Sequence, residues 1–149
     1  MVSWTRAGLV KEFHRDNIRF ELIRQIYNAN LPYVEKGFAD GRSITITTIG
    51  KTLPNAILER IITDKNTVIK QVRAAIDSIH SLGIAHCDIC CENVFVLDDG
   101  SVILGDLQYC TEVHSRPFEV KRMFGNPDTA LELDENQYVR FLEELGSYF

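Results

Sequence analysis

His86, Asp88, Asn93 and Asp106 stand in the order His-x-Asp-x-x-x-x-Asn, followed by twelve residues and a second Asp. Two carboxylates and an amide are hard oxygen donors of the kind that suit magnesium, and such groups position and neutralise a polyanion rather than attack it covalently. Four residue types in register would arise by accident in about one chain in a thousand of this length, so the spacing is a signal. For the groups to converge, the flanking segments must be ordered. Val68, Ile69, Val72, Ala75, Ile76, Ile79 and Leu82 recur at steps of three and four, which predicts a buried helix stopped by Gly83. Val94-Phe95-Val96-Leu97 and Val102-Ile103-Leu104, joined through Asp98-Asp99-Gly100, predict two short strands around a tight turn.

Helix, loop, hairpin and second Asp in that order resemble the protein kinase superfamily, on the stretches Ile84-Ala85-His86-Cys87-Asp88-Ile89-Cys90-Cys91-Glu92-Asn93 and Leu104-Gly105-Asp106-Leu107. The resemblance implies that Asp88 accepts or orients the proton of an attacking hydroxyl, and that Asn93 and Asp106 hold magnesium against the phosphates of ATP. It gives His86 the part of bracing the loop. Upstream, it implies Lys11 as the strand lysine that meets the phosphates, Glu21 as its ion-pair partner on the next helix, and Ile49 at the hinge beside the nucleotide. The reaction implied is ATP- and magnesium-dependent phosphoryl transfer to a protein hydroxyl.

The expected fold class is α+β: a reduced N-lobe over about residues 5–49, with three strands and one helix, and a partial, mainly helical C-lobe over about residues 50–149 carrying the small hairpin. Leu9 to Phe13 is the first predicted strand. Asp16 or Asn17 is the expected cap of a helix with Phe20, Ile23, Ile26 and Tyr27 on one face, ending between Asn28 and Pro32. Two strands flank Asp40-Gly41, the second alternating from Ser43 to Thr48, and Pro54 suits the first turn of a short helix. Residues 109–127 show little periodicity and correspond by resemblance to the activation segment. A last helix is expected from about Asp134, with Tyr138, Phe141, Leu142 and Leu145 as core packing.

The chain departs from the family pattern in four ways. No Gly-x-Gly-x-x-Gly loop precedes Lys11, so a bound nucleotide would lack its lid and activity is expected to be low. Cys90 stands where the family's Ser/Thr-specific members carry a lysine that stabilises the transferring phosphate; metabolite kinases lack it too, which leaves the acceptor class open. Asp106-Leu107-Gln108 replaces the usual third-position glycine. The chain is also shorter than a full kinase domain, so the expectation is a single truncated domain whose apolar surface calls for a protein partner or a dimer. A catalytically inactive pseudokinase that regulates a partner is therefore an alternative. A zinc-stabilised module is a third, since Cys87-x-x-Cys90 and Cys110-x-x-x-His114 have zinc-like spacings; the competing reading is packed, reduced thiols.

Composition removes other classes. A net charge of -5 leaves no basic stripe to neutralise a phosphate backbone, so a nucleic-acid partner is not expected. No apolar run approaches a membrane span and the opening residues lack a signal peptide's apolar stretch, which makes an intracellular, cytoplasmic protein the default expectation. Adjacent Cys90 and Cys91 make a poor disulfide framework.

Overall fold

Alternating and β-branched residues in the first third of the chain fold as a four-stranded antiparallel sheet: β1 (Val2–Thr5), β2 (Gly8–Glu12), β3 (Gly37–Asp40) and β4 (Ser43–Ile46), in the order β1-β2-β4-β3. The computed structural model describes residues 1–117 and 119–149. Strand β1 was not anticipated from the sequence. All four of its residues are exposed, so no inward-facing alternation announces it. It is held by pairing with β2 and by a turn in which the Thr5 hydroxyl accepts from Ala7 N and donates to Gly8 O.

Helix α1 (Phe20–Ala29) lies against β3 and buries Leu22, Ile23, Ile26 and Tyr27. Neither Asp16 nor Asn17 caps it. The N-cap is Arg19, and the Asn17 side chain instead accepts from Arg15 Nε and donates to Glu119. The helix ends at Asn30 in the left-handed conformation that an asparagine tolerates (φ 50°).

The remainder is mainly helical. Strand β5 (Lys51–Thr52) leads into α2 (Leu53–Leu58), with Pro54 in its first turn. Helix α3 (Lys65–Ser81) is capped by Asp64, whose carboxylate accepts from Asn66 N and the Thr67 hydroxyl, and Gly83 follows it at φ 76°. Next come β6 (Ile84–Ala85), a 3-10 turn at Cys91–Asn93, and the hairpin β7 (Val94–Val96) and β8 (Val102–Leu104). Strand β9 (Thr111–Glu112) pairs with β6, and β5-β7-β8 form a three-stranded sheet. Helix α4 (Ala130–Tyr148) starts four residues earlier than periodicity suggests. The start is set by a capping box: Thr129 Oγ1 accepts from Glu132 N, while the Glu132 carboxylate accepts from Asp128 N.

One apolar cluster runs from Ile23 and Ile26 of α1, through Val72, Ile76 and Ile79 of α3, to Phe141 and Leu145 of α4. Each such side chain contributes about 1.5–3 kcal/mol by leaving water, so both halves of the chain are held by the same burial. The loop between β6 and β7 lies over this shared core. Among the described residues no helix is long and apolar enough to cross a membrane.

Candidate active site

Between β6 and the 3-10 turn the backbone passes through Cys87 at φ 68°, a left-handed conformation that costs a residue with a Cβ about 1–2 kcal/mol. Two side chains of α4 hold it there. Asp134 accepts from Cys87 N through Oδ1 (2.7 Å), and through Oδ2 from His86 N (2.9 Å) and His80 Nε2 (2.7 Å). Gln137 accepts from Ile89 N (2.7 Å) and donates to Cys87 O (2.9 Å). Both are fully buried. Sequence reasoning missed them, although a signal existed: Asp134 and Gln137 continue the buried stripe of Phe141 and Leu145 at steps of three and four, and polar residues on an apolar stripe need partners.

His86, also buried, ties this loop to the one carrying Asp106. Its Nδ1 accepts from Asp88 N (3.0 Å), so the ring proton sits on Nε2, which donates to Gly105 O (2.7 Å). A Cβ at Gly105 would stand 2.7 Å from a Glu35 carboxylate oxygen and 3.0 Å from the Phe95 ring, so the close approach of these segments requires glycine.

The structure brings Asp88, Asn93 and Asp106 to one end of the β7–β8 hairpin. Asn93 donates through Nδ2 to Asp88 Oδ2 (2.7 Å) and to Asp88 O (2.8 Å), while its backbone carbonyl accepts from Gly105 N (2.8 Å), immediately before Asp106. Asp106 is half-buried with φ 59°, and its Oδ1 accepts from Gln108 Nε2. Asp88 is 2% exposed. Its second oxygen, Oδ1, accepts from Arg122 Nη1 at 2.6 Å. Arg122, in the irregular segment before α4, is a site residue that no spacing in the sequence indicated.

Lys11 and Ile49 line a cavity of about 180 Å³ between the four-stranded sheet and β7, together with Leu9, Trp4 and Phe95. Glu21 does not reach it. The side chain of Glu21 bonds Arg19 Nε at 2.5 Å and is half exposed, so the expected pairing with Lys11 is replaced. The acid lining the cavity is Glu35, brought there because Leu104 N donates to Tyr33 O and Glu35 N donates to Leu104 O. Helix α1 contributes a phenol instead of a carboxylate: Tyr27 OH donates to Glu35 at 2.6 Å. Burial pushes the Glu35 carboxyl up from its ordinary range, opposed by the Tyr27 hydrogen bond, the nearby Lys11 charge and the Asp106 N–H.

The zinc reading finds no site. Among the described residues no three His, Cys, Asp or Glu side chains gather as a metal would require. All four cysteines are buried and free, and burial pushes Cys90 up to about 11 and Cys91 and Cys110 up to about 12.

Comparison with known proteins bears on the fold. A chain in the crystal structure of the yeast RNA Pol II CTD kinase CTDK-1 complex superposes on 95% of this chain with a TM-score of 0.66 and 16% identity. The chain has a protein kinase-like fold. It spans 56% of that solved chain. In sequence, it is 32% identical over 79 residues to the serine/threonine-protein kinase RHS3 of Arabidopsis thaliana, a match covering 53% of this chain and 16% of that protein. No protein-family model matches the chain.

Two outcomes test the kinase-like loop as described. Asp134→Ala leaves the buried N–H groups of His86 and Cys87 without an acceptor and is expected to destabilise the protein by about 3 kcal/mol or more, with Asp134→Asn intermediate, measured by urea unfolding. Glu35→Gln removes a buried charge. Because the folded-state carboxyl is raised, the wild-type protein loses stability as pH rises through that raised value, and a glutamine does not. The variant is expected to melt about 2–4 °C higher at pH 8, with the gap closing toward pH 5; a constant gap would contradict the assignment.

Proposed function

We propose that the chain is a kinase-like phosphotransferase domain that moves a phosphoryl group from ATP to a hydroxyl, with a protein side chain as acceptor. The observation that carries this reading is the direct contact of Asp88 with Asn93 beside Asp106 at the junction of the two halves. Asp88 receives the hydroxyl proton and Asn93 holds its carboxylate in place. Asn93 Oδ1 and Asp106 Oδ2 accept no bond from the described residues, which leaves two hard oxygens free to take a cation. Magnesium takes one or two protein oxygens and completes its shell with water and phosphate, which this donor set fits. When bound there, it neutralises phosphate charge.

Lys11 lines the cavity between the four-stranded sheet and β7 and would supply a cation for the phosphates, while Ile49, Leu9 and Phe95 would supply apolar surface for a base. At about 180 Å³ the cavity is smaller than the roughly 300–1,000 Å³ of ordinary ligand sites. In this reading the cavity takes the base alone and the phosphates lie outside it. The low activity expected without a glycine loop follows from that exposure.

A second reading, a partner-binding module without catalysis, is favoured by one feature: both Asp88 oxygens are already engaged and the residue is 2% exposed. That the Arabidopsis relative is a serine/threonine-protein kinase and that the solved chain belongs to a complex are compatible with either reading.

Adding ATP with magnesium is expected to raise the melting temperature of the wild-type protein and to leave Asp106→Ala unchanged. In labelled-ATP assays Asp88→Asn is expected to lower transfer by about 10²–10⁴-fold. Equal counts from both proteins, with no melting shift, would reject the phosphotransferase and leave the binding module.

A further inference from the structure

Building on the phosphotransferase reading, we propose that Arg122 supplies the positive charge directed at the transferring phosphoryl group, at a site where position 90 offers only a thiol. The need arises because charge develops on the phosphoryl oxygens during transfer, and a fixed cation is worth most where water is excluded. Cys90 is 4% exposed and held as a neutral thiol, so it contributes none.

Arg122 stands at the required place. Its Nη1 lies 2.6 Å from Asp88 Oδ1, and Asp88 must itself lie within hydrogen-bond reach of the attacking hydroxyl. A guanidinium one hydrogen bond from the base is therefore next to the reacting atoms. Its second arm reaches Glu92 at only 3.4 Å, so that donor is weakly engaged and free to turn to an incoming anion. The planar fork of an arginine matches phosphate oxygens in a way a thiol cannot.

The arginine is also built into the loop's support. Gln137 Nε2 donates to both Arg122 O (2.8 Å) and Cys87 O (2.9 Å), while its Oε1 accepts from Ile89 N. One buried glutamine thus sets the positions of the Asp88 loop and of Arg122 together. Two residues on, Phe124 O accepts from Asn136 of the same helix, and its ring packs under the Arg140 guanidinium. A surface arginine that merely found a carboxylate would not share this anchor. A cavity of about 330 Å³ is lined by Arg122 and Cys90 together with Glu143 and Glu144. It gives an acceptor a route to the guanidinium.

In the transfer, the bond from phosphorus to the acceptor oxygen forms as the bond to the leaving diphosphate oxygen breaks. The hydroxyl proton passes to the Asp88 carboxylate, and Arg122 moves one or more donors from that carboxylate to the phosphoryl oxygens. The bond between Arg122 and Asp88 is the resting arrangement, opened by the arriving substrate.

The test compares melting shifts of the full chain with magnesium-ADP alone and with magnesium-ADP plus aluminium fluoride, a mimic of the phosphoryl group in flight. The wild-type protein is expected to show a shift with magnesium-ADP and a further shift with aluminium fluoride. Arg122→Gln should keep the first and lose the second, and Arg122→Lys should keep part of it. In turnover, Arg122→Gln should lower kcat by about 10²–10³-fold with little change in KM for ATP. If leaving Asp88 without a counter-charge prevents folding, the same comparison is made between Asp88→Asn and the Asp88→Asn, Arg122→Gln double variant. A full second shift in Arg122→Gln, or a rise in kcat showing that the arginine only blocks Asp88, would overturn the proposal. Absence of any magnesium-ADP shift in the wild-type protein would remove the nucleotide site and this inference with it.

Discussion

The loop that carries Asp88 depends on one buried carboxylate. Asp134 presents its two oxygens to consecutive backbone N–H groups, those of His86 and Cys87, from a helix that begins more than forty residues later in the chain. Successive amides around a left-handed residue form a concave anion-binding surface, and here the protein's own side chain fills it. The left-handed Cys87 is sustainable only while that acceptor is present, and the acceptor is present only while α4 packs on α3 through Phe141 and Leu145. Hydrophobic burial of α4 is thus converted into the conformation of the loop that carries Asp88.

Around that anchor the chain treats four acids differently. Among the described residues, Asp134 has three donors and no exposure; Asp88 has one donor on each oxygen; Glu35 is buried beside a phenol and is raised by burial; Asp106 is half-buried, with one oxygen accepting no bond. The thiols next to them add volume without charge.

The two halves are joined across the site by more than the core. Arg19, at the start of α1, bonds both oxygens of Glu112 in β9 at 2.5 and 2.8 Å, which holds that carboxyl down at about 2. Both partners are more than a third exposed, so solvent screens the pair and its worth is under about 1 kcal/mol. It orients α1 relative to the strand after Asp106 rather than holding the fold. Gly50, where a Cβ would meet Val96 O at 2.3 Å, brings the backbone after β4 close to β7.

Local order was legible in the sequence because it is written in short-range terms. The apolar steps of α3, the Asp98-Asp99-Gly100 turn, Pro54 at the head of α2 and the His86-to-Asp106 spacing each involve neighbours along the chain. From these followed the α+β kinase-like class and the expectation that Asp88 and Asn93, which bond each other, share one loop. What lay beyond reach depended on contacts between distant segments or on residues without a periodic signature: the exposed strand β1, the substitution of Glu35 for Glu21 beside Lys11, the Asp134 and Gln137 anchors, and Arg122 on Asp88. Sequence alone determined which chemical groups the loop offers and which elements flank them, since propensity and burial pattern act locally. Only the tertiary structure decided which charge meets which, because a carboxylate or guanidinium finds its partner through packing of helices and strands that spacing along the chain does not encode.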